Sequence, residues 1–170
     1  KNDEDLARNY SQGDATLAGA IYEIYNDSKT SVIVDGHTYA PGSVCKTITT
    51  NDTGYAATAT DSLPYGTYHI VEKSPSRGYL LDTSFNQSFT IRTDGEMIDL
   101  TPSSKSSYEP VVRGGLKITK QDYELHKNSY TSKLAQAVLG KTAQGDATLE
   151  GITFKVKNKS THSVVVDKVT

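Results

Sequence analysis

The chain has 170 residues, a formal net charge of −2 and 35% hydrophobic residues, with eleven Tyr, three Phe and no Trp. Basic and acidic side chains are interspersed, which disfavours a nucleic-acid or anionic membrane surface, and no apolar run approaches the ~20 residues that would span a bilayer. The single cysteine, Cys45, excludes an intrachain disulfide and any CxxC metal or redox motif, and reads as a small half-buried residue.

In chain order, the first distinctive stretch is QGDATLAG at 12–19, which returns as QGDATLEG at 144–151. The repetition continues without a gap. GAIYEIYNDSKTSVIVD at 19–35 lies over GITFKVKNKSTHSVVVD at 151–167, with Tyr22 over Phe154, Ile24 over Val156 and Asn26 over Asn158. Tyr22 and Ile24 alternate with polar positions at the period of a half-buried strand, and the second copy keeps that alternation. SVIVDGHTY predicts a strand, a turn at Asp35-Gly36 and another strand. KTITTNDTGYAAT predicts two strands about a turn at 51–54, and LPYGTYHIVEK a turn running into a strand. PSRGY is a further turn, and SFTIRTDGEMIDL a hairpin on Asp94-Gly95 with Phe89 and Ile91 on one face. PSSKSSYEPVVRGG at 102–115 is Ser-rich and aperiodic, and reads as a junction between units.

GGLKITKQD then opens the second copy, its KQD at 120–122 standing over KND at 1–3. A polar insert, HKNSYTSKLAQAVLGKT, precedes the second octapeptide and reads as a surface loop with a helical turn around 134–139. Short strands closely spaced by Gly, Pro and Asn turns predict an all-β sandwich. Residues 1–112 make a complete copy and residues 113–170 the N-terminal part of a second, because Thr170 corresponds to Thr38. No secretory leader opens the chain, and no counterpart of GGLKIT precedes Lys1. The chain is therefore expected to be a segment cut from a longer tandem array.

Two charges fall on apolar faces. Leu116 and Ile118 alternate with Lys117 and Thr119, which puts Lys120 on the apolar side; Tyr68 and Ile70 share their face with Glu72. Strand geometry aims both charges inward, where such residues are rarely found unless paired. The alternative is an ordinary strand-end charge emerging into solvent.

LKITKQD, GDATLAGAIYEIYN, TNDTGYAAT, LPYGTYHIVEKSPSRGYLLD and FTIRTDGEMIDL resemble the collagen-adhesin B-type domain, also called the SpaA-like or prealbumin-like domain of Gram-positive surface proteins and pilins. The most specific match is Tyr68 to Glu72 followed by Pro75 to Tyr79, and the resemblance covers nearly the whole chain. It implies immunoglobulin-like or prealbumin-like β-sandwiches in tandem, the second copy incomplete. It also implies a self-formed isopeptide bond, in which a lysine on the first strand attacks an Asn or Asp on the last strand, assisted by a buried glutamate. Burial would lower the lysine pKa and raise that of the glutamate, giving a nucleophile and a proton relay. Carried over, Glu72 is the glutamate, Lys1 the donor of the first copy and Lys120 the donor of the second. Lys120 cannot complete its bond within this chain, whose second copy lacks the glutamate and acceptor strands; exchange of strands between copies would be one outcome. The family acceptor often stands shortly before a proline. EMIDLTPSSKSSYEP contains no Asn, which leaves Asp99 as the acceptor, in a register that alternation with Ile98 and Leu100 does not fix, and Asn86 as the alternative.

Enzyme motifs are not found. His37, His69, His126 and His162 show no HxH or HExxH spacing, and there is no GxSxG, phosphate-binding glycine loop or EF-hand loop. A self-crosslink turns over once, so the chain is expected to be no enzyme and to need no cofactor or metal. The favoured function is a stalk module of an extracellular, cell-surface or cell-wall-attached adhesin or pilus-like protein, with neighbouring repeats of the same polypeptide as partners. The alternative is a binding module for a host matrix protein or glycan, with which the tyrosines are compatible.

Overall fold

The computed structural model describes residues 1–6, 9–102, 106–122, 147–159 and 162–166. It comprises two compact units, Lys1–Gly114 and Gly115–Thr170. Among the described residues all regular structure is β, and no helix is long and apolar enough to cross a membrane.

The first unit contains β1 (Asn2–Asp3), β2 (Ile21–Asn26), β3 (Val32–Val34), β4 (His37–Tyr39), β5 (Val44–Thr49), β6 (Gly66–Ser74), β7 (Asn86–Ile91) and β8 (Tyr108–Glu109). An antiparallel sheet runs in the order β5-β2-β6-β7, β3 pairs with β4, and β1 pairs in parallel with β8. The period-two pattern decides which side faces the core. Tyr22, Ile24 and Asn26 of β2 are buried, as are Tyr68, Ile70 and Glu72 of β6. They pack with Ala20, Val32, Val34 and Cys45, and Phe85, Phe89 and Leu100 close over them. The β3–β4 turn is reversed by Asp35 (φ 50°) and Gly36 (φ 78°), two successive left-handed residues that match the twist of the strands they join.

Three predicted strands do not form. The residues after the 51–54 turn and after the 93–96 turn run alongside the core without becoming strands. Side chains capture backbone donors at both turns: Asn51 Oδ1 accepts from the N–H groups of Thr53 and Tyr55, and Glu96 Oε2 from those of Arg92 and Thr93. These bonds fix the turns, and neither arm that follows pairs with another strand. Conversely, the stretch read as a junction contains β8, and Val111 bridges Tyr79. The third missing strand is 116–120 of the second unit, where no partner strand lies beside it among the described residues.

The second unit carries β9 (Val156–Lys157) and β10 (Val164–Val166), paired antiparallel. Gly151 has positive φ, as does Gly19, over which it aligns. β10 stands in the alignment over β3 yet pairs with the counterpart of β2, so the repeated sequence does not take the first unit's pairing. The helical turn expected around 134–139 lies outside the described residues.

Candidate functional site

The site lies where the first and last strands of the first unit run side by side. Asn2 stands opposite Tyr108 and Asp3 opposite Glu109. The Asn2 N–H donates to the Ser107 carbonyl at 2.9 Å, and the Glu4 N–H to the Glu109 carbonyl at 3.0 Å. Alternate residues of a strand share a face, which turns Asp3, Ser107 and Glu109 inward together; all three are buried. Lys1 precedes β1, and its side chain is wholly enclosed. Its backbone nitrogen donates to the Gly54 carbonyl at 2.9 Å. Gly54 has φ +75°, and a Cβ there would run into the Lys1 carbonyl oxygen, so the 51–54 turn closes on Lys1 only because that position lacks a side chain.

Two carboxylates meet the amine. Glu109 Oε2 is in contact with Lys1 Nζ, and Glu72 Oε1 lies 3.7 Å from it. Each carboxylate is anchored through its other oxygen. Glu72 Oε2 accepts from the Asp82 N–H at 2.9 Å, and Glu109 Oε1 from the Ser107 hydroxyl at 2.9 Å. The amine sits 4.6 Å from the centre of the Tyr79 ring. The Tyr79 hydroxyl donates to Asp3 Oδ2 at 2.7 Å, and Gln12 Nε2 to Asp3 Oδ1 at 3.0 Å. A cleft of about 810 Å³ between the sheet and residues 53–60 and 96–101 reaches Lys1 and Ser107.

The electrostatics follow from burial. Desolvation pulls the Lys1 pKa down to about 8, against the opposing pull of Glu72, Asp82 and Asp3. Desolvation also raises Glu72, against the Asp82 N–H and the lysine charge. At Asp3 burial pushes upward but is outweighed by hydrogen bonds from Tyr79, Gln12 and the backbone, and its carboxyl stays below the usual range. The enclosure therefore makes a neutral amine beside a neutral carboxyl far more accessible than it is in water, although the charged amine still predominates at neutral pH. A neutral amine in contact with a carboxyl carbon's oxygen is the starting geometry for amide formation.

The structure brings Lys1 and Glu72 together but not the acceptors expected with them. Asp99 is exposed, its Oδ1 accepting from the Thr101 N–H. Asn86 is exposed on β7, opposite Val71. Lys120 is exposed in the second unit. The carboxyl against the amine belongs to Glu109, which sequence reasoning passed over. Its signal is present in the sequence: Glu109 immediately precedes Pro110, where the resemblance implies an Asn or Asp acceptor. Among the described residues no cluster of His, Cys, Asp and Glu has the arrangement of a metal site.

The model of the SpaA domain, a prealbumin-like fold domain, matches residues 7–106. The chain belongs to this family. The resemblance carried by Tyr68–Glu72 and Pro75–Tyr79 therefore holds, and the all-β architecture of the first unit is that of a SpaA prealbumin-like domain. No curated protein matches the chain. The SpaA match includes Glu72 and the four-stranded sheet, while Lys1 and Glu109 flank it on either side.

Proposed function

We propose that the first unit is a structural module of a bacterial surface protein or pilus, closed by a self-formed isopeptide bond between Lys1 and Glu109 with Glu72 as proton relay. The observation that carries this reading is the wholly enclosed Lys1 amine in contact with Glu109 Oε2, with Glu72 Oε1 3.7 Å away. Membership of the SpaA family supports the extracellular setting, and a covalent tie suits a domain whose one cysteine cannot supply a disulfide. Tandem repetition, visible in the aligned octapeptides, fits a stalk assembled from such modules.

The chemistry is a condensation. Lys1 Nζ attacks Glu109 Cδ as a neutral amine on a protonated carboxyl. The Nζ–Cδ bond forms, the Cδ–Oε2 bond breaks, and Oε2 leaves as water. Glu72 takes a proton from Nζ and returns it to the departing hydroxyl, ending as it began. Contact between the groups replaces a bimolecular encounter with a positioned one.

Intact mass tests the reading. The wild-type protein should weigh one water less than its sequence. Glu109→Gln should change the deficit to one ammonia, because the carboxamide nitrogen is then the leaving group. Asp99→Asn should leave the water deficit unchanged. A wild-type protein of full mass, or a deficit that follows Asp99 in place of Glu109, would overturn the proposal.

A further inference from the structure

The two oxygens of Glu109 are held differently. Oε2 faces the lysine, whereas Oε1 accepts from the Ser107 hydroxyl at 2.9 Å. Ser107 is 3% exposed, so water does not compete for that hydrogen bond. Among the described residues the other acceptor within hydrogen-bond geometry is Asp82 Oδ2, at 3.5 Å, and the single hydroxyl proton therefore goes to the nearer Glu109. The Ser107 carbonyl is in turn fixed by the Asn2 N–H, which ties the donor to the strand that follows Lys1. Opposite stands Tyr22, in register with Glu72 on the neighbouring strand. Its buried hydroxyl lies beside the Ser107 side chain but meets hydrogen-bond geometry with no described residue, so the shorter bond to Glu109 keeps the Ser107 proton.

We propose that Ser107 is a catalytic residue of the crosslinking reaction, its hydroxyl donating to Glu109 Oε1 as that oxygen takes up negative charge in the tetrahedral intermediate. The proposal rests on Lys1–Glu109 bond formation. In that reaction Oε1 is the oxygen that stays, becoming the amide carbonyl, and Oε2 is the one that departs as water. A donor placed on the oxygen that stays stabilises the developing oxyanion, and it selects which Cδ–O bond breaks by leaving Oε2 to the amine and Glu72. Removing one such donor from a preorganised site typically slows a reaction on the order of a hundredfold.

The test is the rate of water loss after refolding the full chain from denaturant, followed by intact mass in acid-quenched samples. Ser107→Ala should slow the loss about a hundredfold, and Ser107→Thr, which keeps the hydroxyl, should recover most of the rate. Urea midpoints of Lys1→Met and of Lys1→Met/Ser107→Ala, neither able to crosslink, separate chemistry from folding. The second midpoint should be lower by the cost of the one buried hydrogen bond lost; a merely structural serine would lower it equally but leave the rate of water loss per folded molecule unchanged. Water loss at the wild-type rate in Ser107→Ala overturns the role of Ser107 while leaving the Lys1–Glu109 bond standing. Absence of water loss from the wild type overturns the bond and the role of Ser107 with it.

Discussion

Lys1 holds a pKa of about 8 because burial outweighs the pull of Glu72, Asp82 and Asp3. At pH 7 roughly one such amine in ten is neutral, against about one in a few thousand for a solvated lysine. The reacting arrangement needs one proton among Lys1, Glu72 and Glu109, carried by a carboxyl and not by the amine. A second proton blocks the nucleophile, and loss of the last one leaves two carboxylates that cannot expel water. The rate of crosslinking should therefore trace a bell against pH, with its alkaline limb near pH 8, where the lysine marks departure of the last proton. Stopped refolding at a series of pH values, read by mass, checks this; a rate still climbing above pH 9 would contradict it.

At the scale of elements, the 51–54 turn matters more to the site than its distance in sequence suggests. Gly54→Ala would place a Cβ against the Lys1 carbonyl at a backbone angle that L-residues avoid, displacing Lys1 from Glu109. A shift of about 1 Å can slow a positioned reaction on the order of a hundredfold, so this variant should fold yet crosslink far more slowly, as refolding followed by mass would show. Asn26 tests the other end of the sheet. Fully buried, it donates through Nδ2 to the carbonyls of Thr30 and Tyr39 and accepts from the Ser28 N–H. Asn26→Ala strands those groups and should cost about 2–4 kcal/mol in urea unfolding, with the crosslink still formed.

β2, β6 and β7 were legible from the sequence because each keeps its alternation for six residues or more, and that alternation is what turned Glu72 inward. The β3–β4 hairpin was legible from Asp35-Gly36. β8 was not, since two residues carry no period and its pairing is with the far end of the unit. The arms at 55–60 and 96–100 do not become strands: alternation reports which side chains face the core, not whether another strand lies in register to complete a ladder.

For the whole unit, the proposed bond joins residues at opposite ends of the chain that folds there, Lys1–Gly114. Closing a loop of roughly 100 residues restricts the unfolded chain by about 4–5 kcal/mol on the chain-entropy model. Lys1→Met, unable to close it, should lose about that much stability in denaturant titration, its midpoint falling while m rises because the unclosed denatured chain is more expanded. An unchanged midpoint would mean that no loop is closed in the wild type. The chemistry and the topology thus make separate, measurable contributions: one sets how fast the bond appears, the other how much it stabilises.

The parallel direction of β1 and β8 has a mechanical consequence. If the module is pulled from the N-terminal side of β1 and the C-terminal side of β8, the two strands are drawn past each other along their length. Their hydrogen bonds are then loaded together, whereas an antiparallel terminal pair pulled from one end peels open bond by bond. With Lys1 and Glu109 joined, that load passes through a covalent link before it reaches the sheet, and the unit behaves as an inextensible spacer whose core never feels the pull.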